Sequence, residues 1–268
     1  MTDVILFLQQ GWKNIWKQGS IWLLSAVPFL NQLLGFLYRE NSSNSLLPLL
    51  FFVGNLVTLV VFLTYLIGVP YLVYSLSVGQ PATMYDALLA NRKYAGRVIG
   101  CLFLLLLPCG LLGFIVFSIN RPVTPQSLFS TNSLILLPLV MFRALWDFSL
   151  FSFFSNNWGI QQNIKRTWTL FMDHFVALIL LGTVLALLYR LFYTLAAAIT
   201  ILTQSNFQVT SITLTSYLNP SVDVRSSLLF IIITGIGQTL YTPISTAAFA
   251  SAYVKYSGIK ISSAVRQK

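Results

Sequence analysis

The chain has 268 residues, of which 56% are hydrophobic and only 8% charged, with 16 Lys and Arg against 6 Asp and Glu. A soluble domain carries about a quarter charged residues, so this composition excludes an ordinary globular enzyme and a disordered chain. The formal charge of +10 does not indicate nucleic-acid binding either, because a mean hydropathy of +0.78 describes a chain that buries itself in lipid.

The first predicted element is an amphipathic helix over 4–17. Ile5, Leu8, Trp12, Ile15 and Trp16 share one face, with Gln9, Gln10, Lys13 and Lys17 opposite. Trp beside Lys is the composition of a helix lying among lipid headgroups; a solvated arm is the alternative. No cleavable signal peptide is expected, since the first basic charges follow an apolar start.

Six charge-poor runs follow, at 20–38, 46–77, 98–119, 132–155, 174–203 and 227–254. A helical span needs about 20 residues, so the expected fold is an all-α membrane bundle of six transmembrane helices. The 46–77 run would reach roughly 48 Å as one straight helix. It is expected to tilt, to bend near Gly68 and Pro70, or to project into water. Eleven basic residues fall on one predicted side: Lys13, Lys17, Arg92, Lys93, Arg97, Lys165, Arg166, Lys255, Lys260, Arg266 and Lys268. Three fall on the other, Arg39, Arg121 and Arg225. The bias puts both termini in the cytoplasm.

A second surface segment starts at Gly79-Gln80-Pro81 and runs through Met84, Leu88 and Tyr94 to Arg97. A third runs from Ile160 through Ile164, Trp168 and Phe171. Each surface segment precedes a pair of spans, and each pair ends in an aromatic, Ser-bearing stretch closed by glycine: 70–79, 149–159 and 248–258. The pattern predicts one integral membrane domain with quasi-repeats over about 1–78, 79–158 and 159–258, then a basic tail 259–268. Generic aromatic belts are the alternative. Of the predicted external loops, 41–44, 121–125 and 204–226, none is large enough for a receptor domain.

Arg143 and Asp147 form the sharpest chemical signal. Four apart in the fourth span, they share a helix face and can pair. Counted from residue 132, Arg143 lies roughly 17 Å into the membrane, where a charge needs a partner or a cavity. Two readings stand: a polar site on a translocation path, or a neutral pair that locks helix packing. Arg190 in the fifth span either reaches Asp147 across helices or snorkels outward beside Tyr189 and Tyr193. Asp173-His174 marks a hydrated helix start, with a pH-sensitive group as the alternative. Gly110 with Gly113, Gly235 with Gly237, and Ala196 to Ala198 are expected to permit close helix approach.

No nucleotide loop, HExxH, GxSxG elbow or carboxylate cluster is present in the sequence. With one His and two Cys, Cys101 and Cys109, no metal cluster and no disulfide framework are expected. No catalytic residue, metal or cofactor is predicted.

The run Gly79-Gln80-Pro81-Ala82-Thr83-Met84-Tyr85-Asp86-Ala87-Leu88-Leu89 resembles bacterial six-span membrane proteins, as does Gln162-Asn163-Ile164-Lys165-Arg166-Thr167-Trp168-Thr169-Leu170. Both are similar to the membrane domain attached to glycerophosphodiester phosphodiesterases, and to related stand-alone membrane proteins. The final span here, Ala252-Tyr253-Val254-Lys255, lacks the acid those proteins often carry. Their soluble catalytic barrel has no counterpart, so the resemblance implies a membrane module without the phosphodiesterase activity.

The expected function is a non-enzymatic, membrane-organising or transport-related module of the cell membrane. Trp12, Lys13, Trp16, Lys17, Arg92, Lys93, Arg97, Lys165, Arg166 and Trp168 are the expected contacts with anionic headgroups. The alternatives are a small transporter or lipid-moving protein with a groove at Arg143, Asp147 and Arg190, and an accessory subunit of a membrane complex. Besides lipid, the expected partners are another membrane protein or a second copy of the chain.

Overall fold

A computed structural model describes residues 2–40, 47–80, 82–119, 128–156, 158–203 and 222–259. The predicted loops at 41–44 and 121–125, most of 204–226, and tail residues 260–268 lie outside the described residues. Those described are all-helical: α1 (Thr2–Ile15), α2 (Gly19–Ser25), α3 (Val27–Glu40), α4 (Leu47–Ser77) and α5 (Met84–Ile119) come first. Then come α6 (Leu128–Asn156), α7 (Ile160–Asp173), α8 (Phe175–Thr203), α9 (Val222–Ser226) and α10 (Leu228–Ser257). Three stretches, Gly19–Tyr38, Phe175–Thr203 and Leu228–Ser257, are long and apolar enough to cross a membrane.

Local sequence explains the joints. The first stretch jogs at Ala26, between α2 and α3, because Pro28 has no N–H to carry the helix ladder through. By contrast, α4 runs through Pro70 as one helix of 31 residues. It ends at Gly79, whose φ of 79° suits only a residue without a side chain. Gly258 closes α10 the same way, with φ 69°. Gly159, the third glycine of the predicted pattern, is different: its φ is −67° and it opens α7 instead of closing α6.

The helices pack in a closed order. α3 lies between α10 and α4, α5 between α4 and α6, and α8 between α6 and α10. The inner three, α4, α6 and α10, also touch one another. Their C-terminal ends meet in rings: Tyr74 stacks on Phe151 at 5.8 Å, and Tyr253 lies 6.2 Å from Tyr74 and 5.7 Å from Phe151. The three aromatic stretches seen in the sequence therefore meet in one core, not three separate belts. From Thr242 to Val254 nearly every α10 residue is buried, and most are small. Small residues let backbones approach, which is how helices associate where no water drives them together.

Three helical segments surround this core. α1 crosses α10 where Gly11 meets the backbone of Ala247 and Ala248. Ala87, in the first turns of α5, meets Gly68 of α4. From α7, the Asn163 amide donates to the Ser149 carbonyl at 3.0 Å, and the Ser149 and Thr167 hydroxyls lie 3.4 Å apart. The second surface segment is thus not a separate helix, because the chain passes from 84 to 119 without a break. The face predicted for α1 is also turned. Val4, Phe7, Gly11 and Ile15 dock inward, while Ile5, Trp12 and Trp16 stay exposed, the two tryptophans at 50% and 55%. One broad apolar arc serves two neighbours, which a single-stripe reading does not foresee. Likewise Gly110 has nothing within 4 Å and gives no close approach.

Thr83 and Asp86 form a capping box at the start of α5. The Asp86 carboxylate accepts from the Thr83 N–H at 2.7 Å and from its hydroxyl at 2.8 Å. These bonds, the backbone one foremost, hold Asp86 below the ordinary carboxylate range. A depressed carboxyl contributes stability above its unfolded pKa and loses it as pH falls through the folded value. Carboxyl-carbon NMR is expected to place the Asp86 midpoint below that of an unstructured peptide, with the first turn of α5 fraying beneath it. A midpoint at or above the peptide value excludes the cap. A second prediction concerns Gly11, where an added Cβ meets the Ala248 nitrogen at 2.9 Å. Backbone cannot yield as a side chain can, so Gly11→Ala is expected to cost about 1–3 kcal/mol. Gly19→Ala, with open space around it, is the control in the same thermal-unfolding series.

Candidate functional site

The deepest polar cluster lies between α6 and α10. The guanidinium Nε of Arg143 donates to Asp147 Oδ2 at 2.9 Å. Its Nη2 reaches Thr246 Oγ1 at 2.8 Å and Ser245 Oγ at 3.3 Å. The i, i+4 spacing sets the first contact, and the buried hydroxyl pair of α10 sets the others. Asp147 is fully buried, whereas about a third of the Arg143 side chain (36%) remains accessible. Asp147 Oδ1 accepts no hydrogen bond. Arg143 thus fastens α6 to α10 through one ionic and two hydroxyl contacts, and Asp147 neutralises it. The hydroxyls of Tyr65 and Thr242 add a 3.4 Å contact between α4 and α10.

Observed helix ends shift the pair. Because α6 begins at Leu128, Arg143 lies about 22 Å along it, beyond the depth counted from residue 132. It stands six residues before Ser149, where α7 docks. Arg190 lies on the exposed side of α8, and its neighbour Tyr189 packs against Tyr241 at 5.0 Å. A cavity of about 400 Å³ opens between α3, α8 and α10, lined by Gln32, Tyr189, Tyr193, Arg225 and Gln238 among others. Arg143 and Asp147 do not line it.

The predicted headgroup contacts occupy the surface of the three segments around the aromatic core. Trp12, Lys13, Trp16 and Lys17 project from α1 and its end; Arg92 and Lys93 project from α5, with the Lys93 ammonium 5.0 Å from the Tyr94 ring. Lys165 and Trp168 are exposed on α7, and Arg97 and Arg166 are half-buried. Where α1, α7 and α10 meet, His174 stacks on Tyr256 at 3.7 Å and Phe7 packs edge-on against the same ring. Lys255 pairs with Asp3 at 2.8 Å. Exposed pairs add little stability, but this one ties the two ends of the described chain. The bond to Lys255 holds Asp3 below the ordinary carboxylate range.

Sequence reasoning missed Trp158, whose ring carries the Arg166 guanidinium at 4.7 Å, and the Ser245-Thr246 hydroxyls that receive Arg143. The latter left a weak signal, adjacent hydroxyls in a span also holding Thr242. Sequence reasoning also missed Asn163 and Thr167, buried on the inner face of α7, and their partner Ser149.

Compared with known proteins, the chain matches no protein-family model, and neither a curated protein nor a solved structure shows significant similarity to it.

Removing one partner of a buried ion pair leaves an uncompensated charge and typically costs about 3–5 kcal/mol, whereas replacing both by apolar residues is often neutral. Asp147→Ala is therefore expected to lower the unfolding midpoint sharply, and Arg143→Met with Asp147→Leu to recover most of it. If the single variant unfolds like the parent, the pair does not lock the two helices.

Proposed function

We propose that the chain is a six-span protein of the cell membrane, built as a threefold repeat, that acts without catalysis as a membrane-organising, transport-related module resting on anionic lipid. The observation that carries this reading is the collar formed by α1, the first turns of α5, and α7. Each meets an inner helix ten or eleven residues before the glycine that follows it in the chain (Gly258, Gly79 or Gly159), at Ala247 and Ala248, at Gly68, or at Ser149. Each turns basic or aromatic side chains outward.

Helix length supports the six spans. α4, α6 and α10 have 31, 29 and 30 residues, about ten more than a crossing requires. Setting aside the ends enclosed by the collar leaves about 20 residues each, one bilayer thickness. The aromatic ends then stand in the headgroup region and beyond. Register supports the repeat. Ala87 and Thr167 each stand eight residues after Gly79 and Gly159, and each touches the preceding inner helix at the equivalent level. The order is cyclic: α1 on α10, α5 on α4, α7 on α6. The basic excess supports a cytoplasmic collar. A module of this kind is in keeping with the resemblance to membrane domains attached to phosphodiesterases.

The transporter alternative draws less support. The carboxylate is dry and bonded to Arg143, and the cavity between α3, α8 and α10 is lined by other residues.

The test is lipid preference. In nanodiscs holding equal fractions of brominated phosphatidylglycerol or brominated phosphatidylcholine, the anionic lipid is expected to quench the collar tryptophans more strongly. The preference should shrink with salt, since exposed charges are screened within about 10 Å at 0.1 M. It should shrink again when Lys13, Lys17, Arg92 and Lys93 are changed to Gln. Equal quenching by the two lipids sinks the reading.

A further inference from the structure

The corner where α6 turns into α7 is more specific than a basic surface. A cavity of about 480 Å³ opens there, lined by Trp158, Gln162, Lys165, Arg166 and Thr169. The last four follow i, i+3, i+4, i+7 spacing, so they form one stripe of α7. Among the described residues, none of the lining is acidic. Trp158, in the link before α7, forms the wall. Arg97 of α5 donates to its carbonyl at 3.5 Å, which ties the link to a third helix. The Arg166 guanidinium lies 4.7 Å from the Trp158 ring centroid, and this contact fixes its plane.

Three features point to a phosphate. The Arg166 Nε–H is buried and has no acceptor among the described residues, an expensive state for a donor on a charged group. A held guanidinium presents its N–H fork in the geometry that phosphate oxygens match. The Lys165 ammonium, next on the stripe, adds a second positive charge. The Thr169 hydroxyl donates to the Lys165 carbonyl at 3.0 Å, so toward the cavity it offers an acceptor. An acceptor there suits a hydroxyl on the ligand, not a phosphate oxygen. Alongside, Trp168 and Met172 are exposed at 45% and 51% on the adjoining stripe, where an acyl-glycerol body would lie.

We propose that this corner is a discrete recognition site for a phosphate ester that carries a neighbouring hydroxyl, presented by the headgroup of an anionic phospholipid. The proposal rests on the collar reading above and sharpens it from a general charge preference to one site. Lipid and soluble phosphate esters share the chemistry, and the adjoining apolar stripe favours the lipid.

The experiment is calorimetric titration of the full chain in neutral detergent. The probes are short-chain phosphatidylglycerol, the matching phosphatidylcholine and glycerol phosphate. Phosphatidylglycerol is expected to bind best, and Lys165→Gln and Arg166→Gln each to weaken it about tenfold, the scale of one charge-assisted contact. The Gln10→Ala variant, at an exposed position of α1 that belongs neither to the cavity lining nor to the named headgroup residues, should bind as the parent does. If Arg166→Gln fails to fold, Lys165→Gln and Gln162→Ala, both at exposed positions, carry the test. Glycerol phosphate binding as tightly as the lipid supports the phosphate chemistry and assigns the site to a soluble ester. Phosphatidylcholine binding equally well, or full affinity in the Lys165 and Arg166 variants, overturns the site. In that event a persisting nanodisc preference for anionic lipid leaves the collar reading standing, whereas its loss in the parent protein removes that reading itself.

Discussion

Lipid tails are as apolar as leucine, so helices in a bilayer gain little by hiding apolar surface from one another. They associate where backbones come close and polar groups find partners. In this protein that requirement falls on α10. Its buried run of Thr242, Ser245, Thr246, Ala247, Ala248, Ala250, Ser251 and Ala252 offers almost no side-chain bulk. α1, α4, α6 and α8 can therefore all reach it. Glycines complete the contacts from the other side: Gly11 lies against Ala247 and Ala248, and Gly182 faces Val140 and Phe249. Larger residues along α10 would push each neighbour outward, and the aromatic core at the helix ends would not close.

The deep ion pair follows from the same arrangement. Small α10 residues bring Ser245 and Thr246 close enough to receive the Arg143 guanidinium. A buried charge is tolerated only when its hydrogen-bonding capacity is met, and here a carboxylate on its own helix and two hydroxyls on the neighbour meet most of it. The pair is thus a product of helix approach as well as a fastening for it. The surrounding segments follow too, because the C-terminal ends of the inner helices carry the aromatic core and need cover. α1, α7 and the start of α5 supply that cover with one side of each helix and leave basic and aromatic side chains exposed on the other.

Much of this was legible in the residues. The six apolar runs at 20–38, 46–77, 98–119, 132–155, 174–203 and 227–254 each hold one helix or a jogged pair, because composition and length alone govern them. Arg143 and Asp147 were readable as a pair, since four residues along a helix bring side chains together whatever surrounds them. The three aromatic stretches were readable one by one, but their meeting in one core was not. That contact joins Tyr74, Phe151 and Tyr253, residues separated by whole helices. How the α1 arc is divided was not legible for a related reason: a hydrophobic arc records that something apolar covers it, not whether protein or lipid does.

By itself the sequence determined the helices, the bias of charge to one side, and the local pairs that helical spacing imposes, all consequences of short-range periodicity. The tertiary structure decided the rest: which half of the α1 arc faces protein, that 84–119 is a single helix, and that Arg143 reaches hydroxyls on α10. It also decided that Trp158, Lys165 and Arg166 share a cavity. Each depends on backbones from distant parts of the chain coming close, and that is set by small residues whose partners no local pattern names.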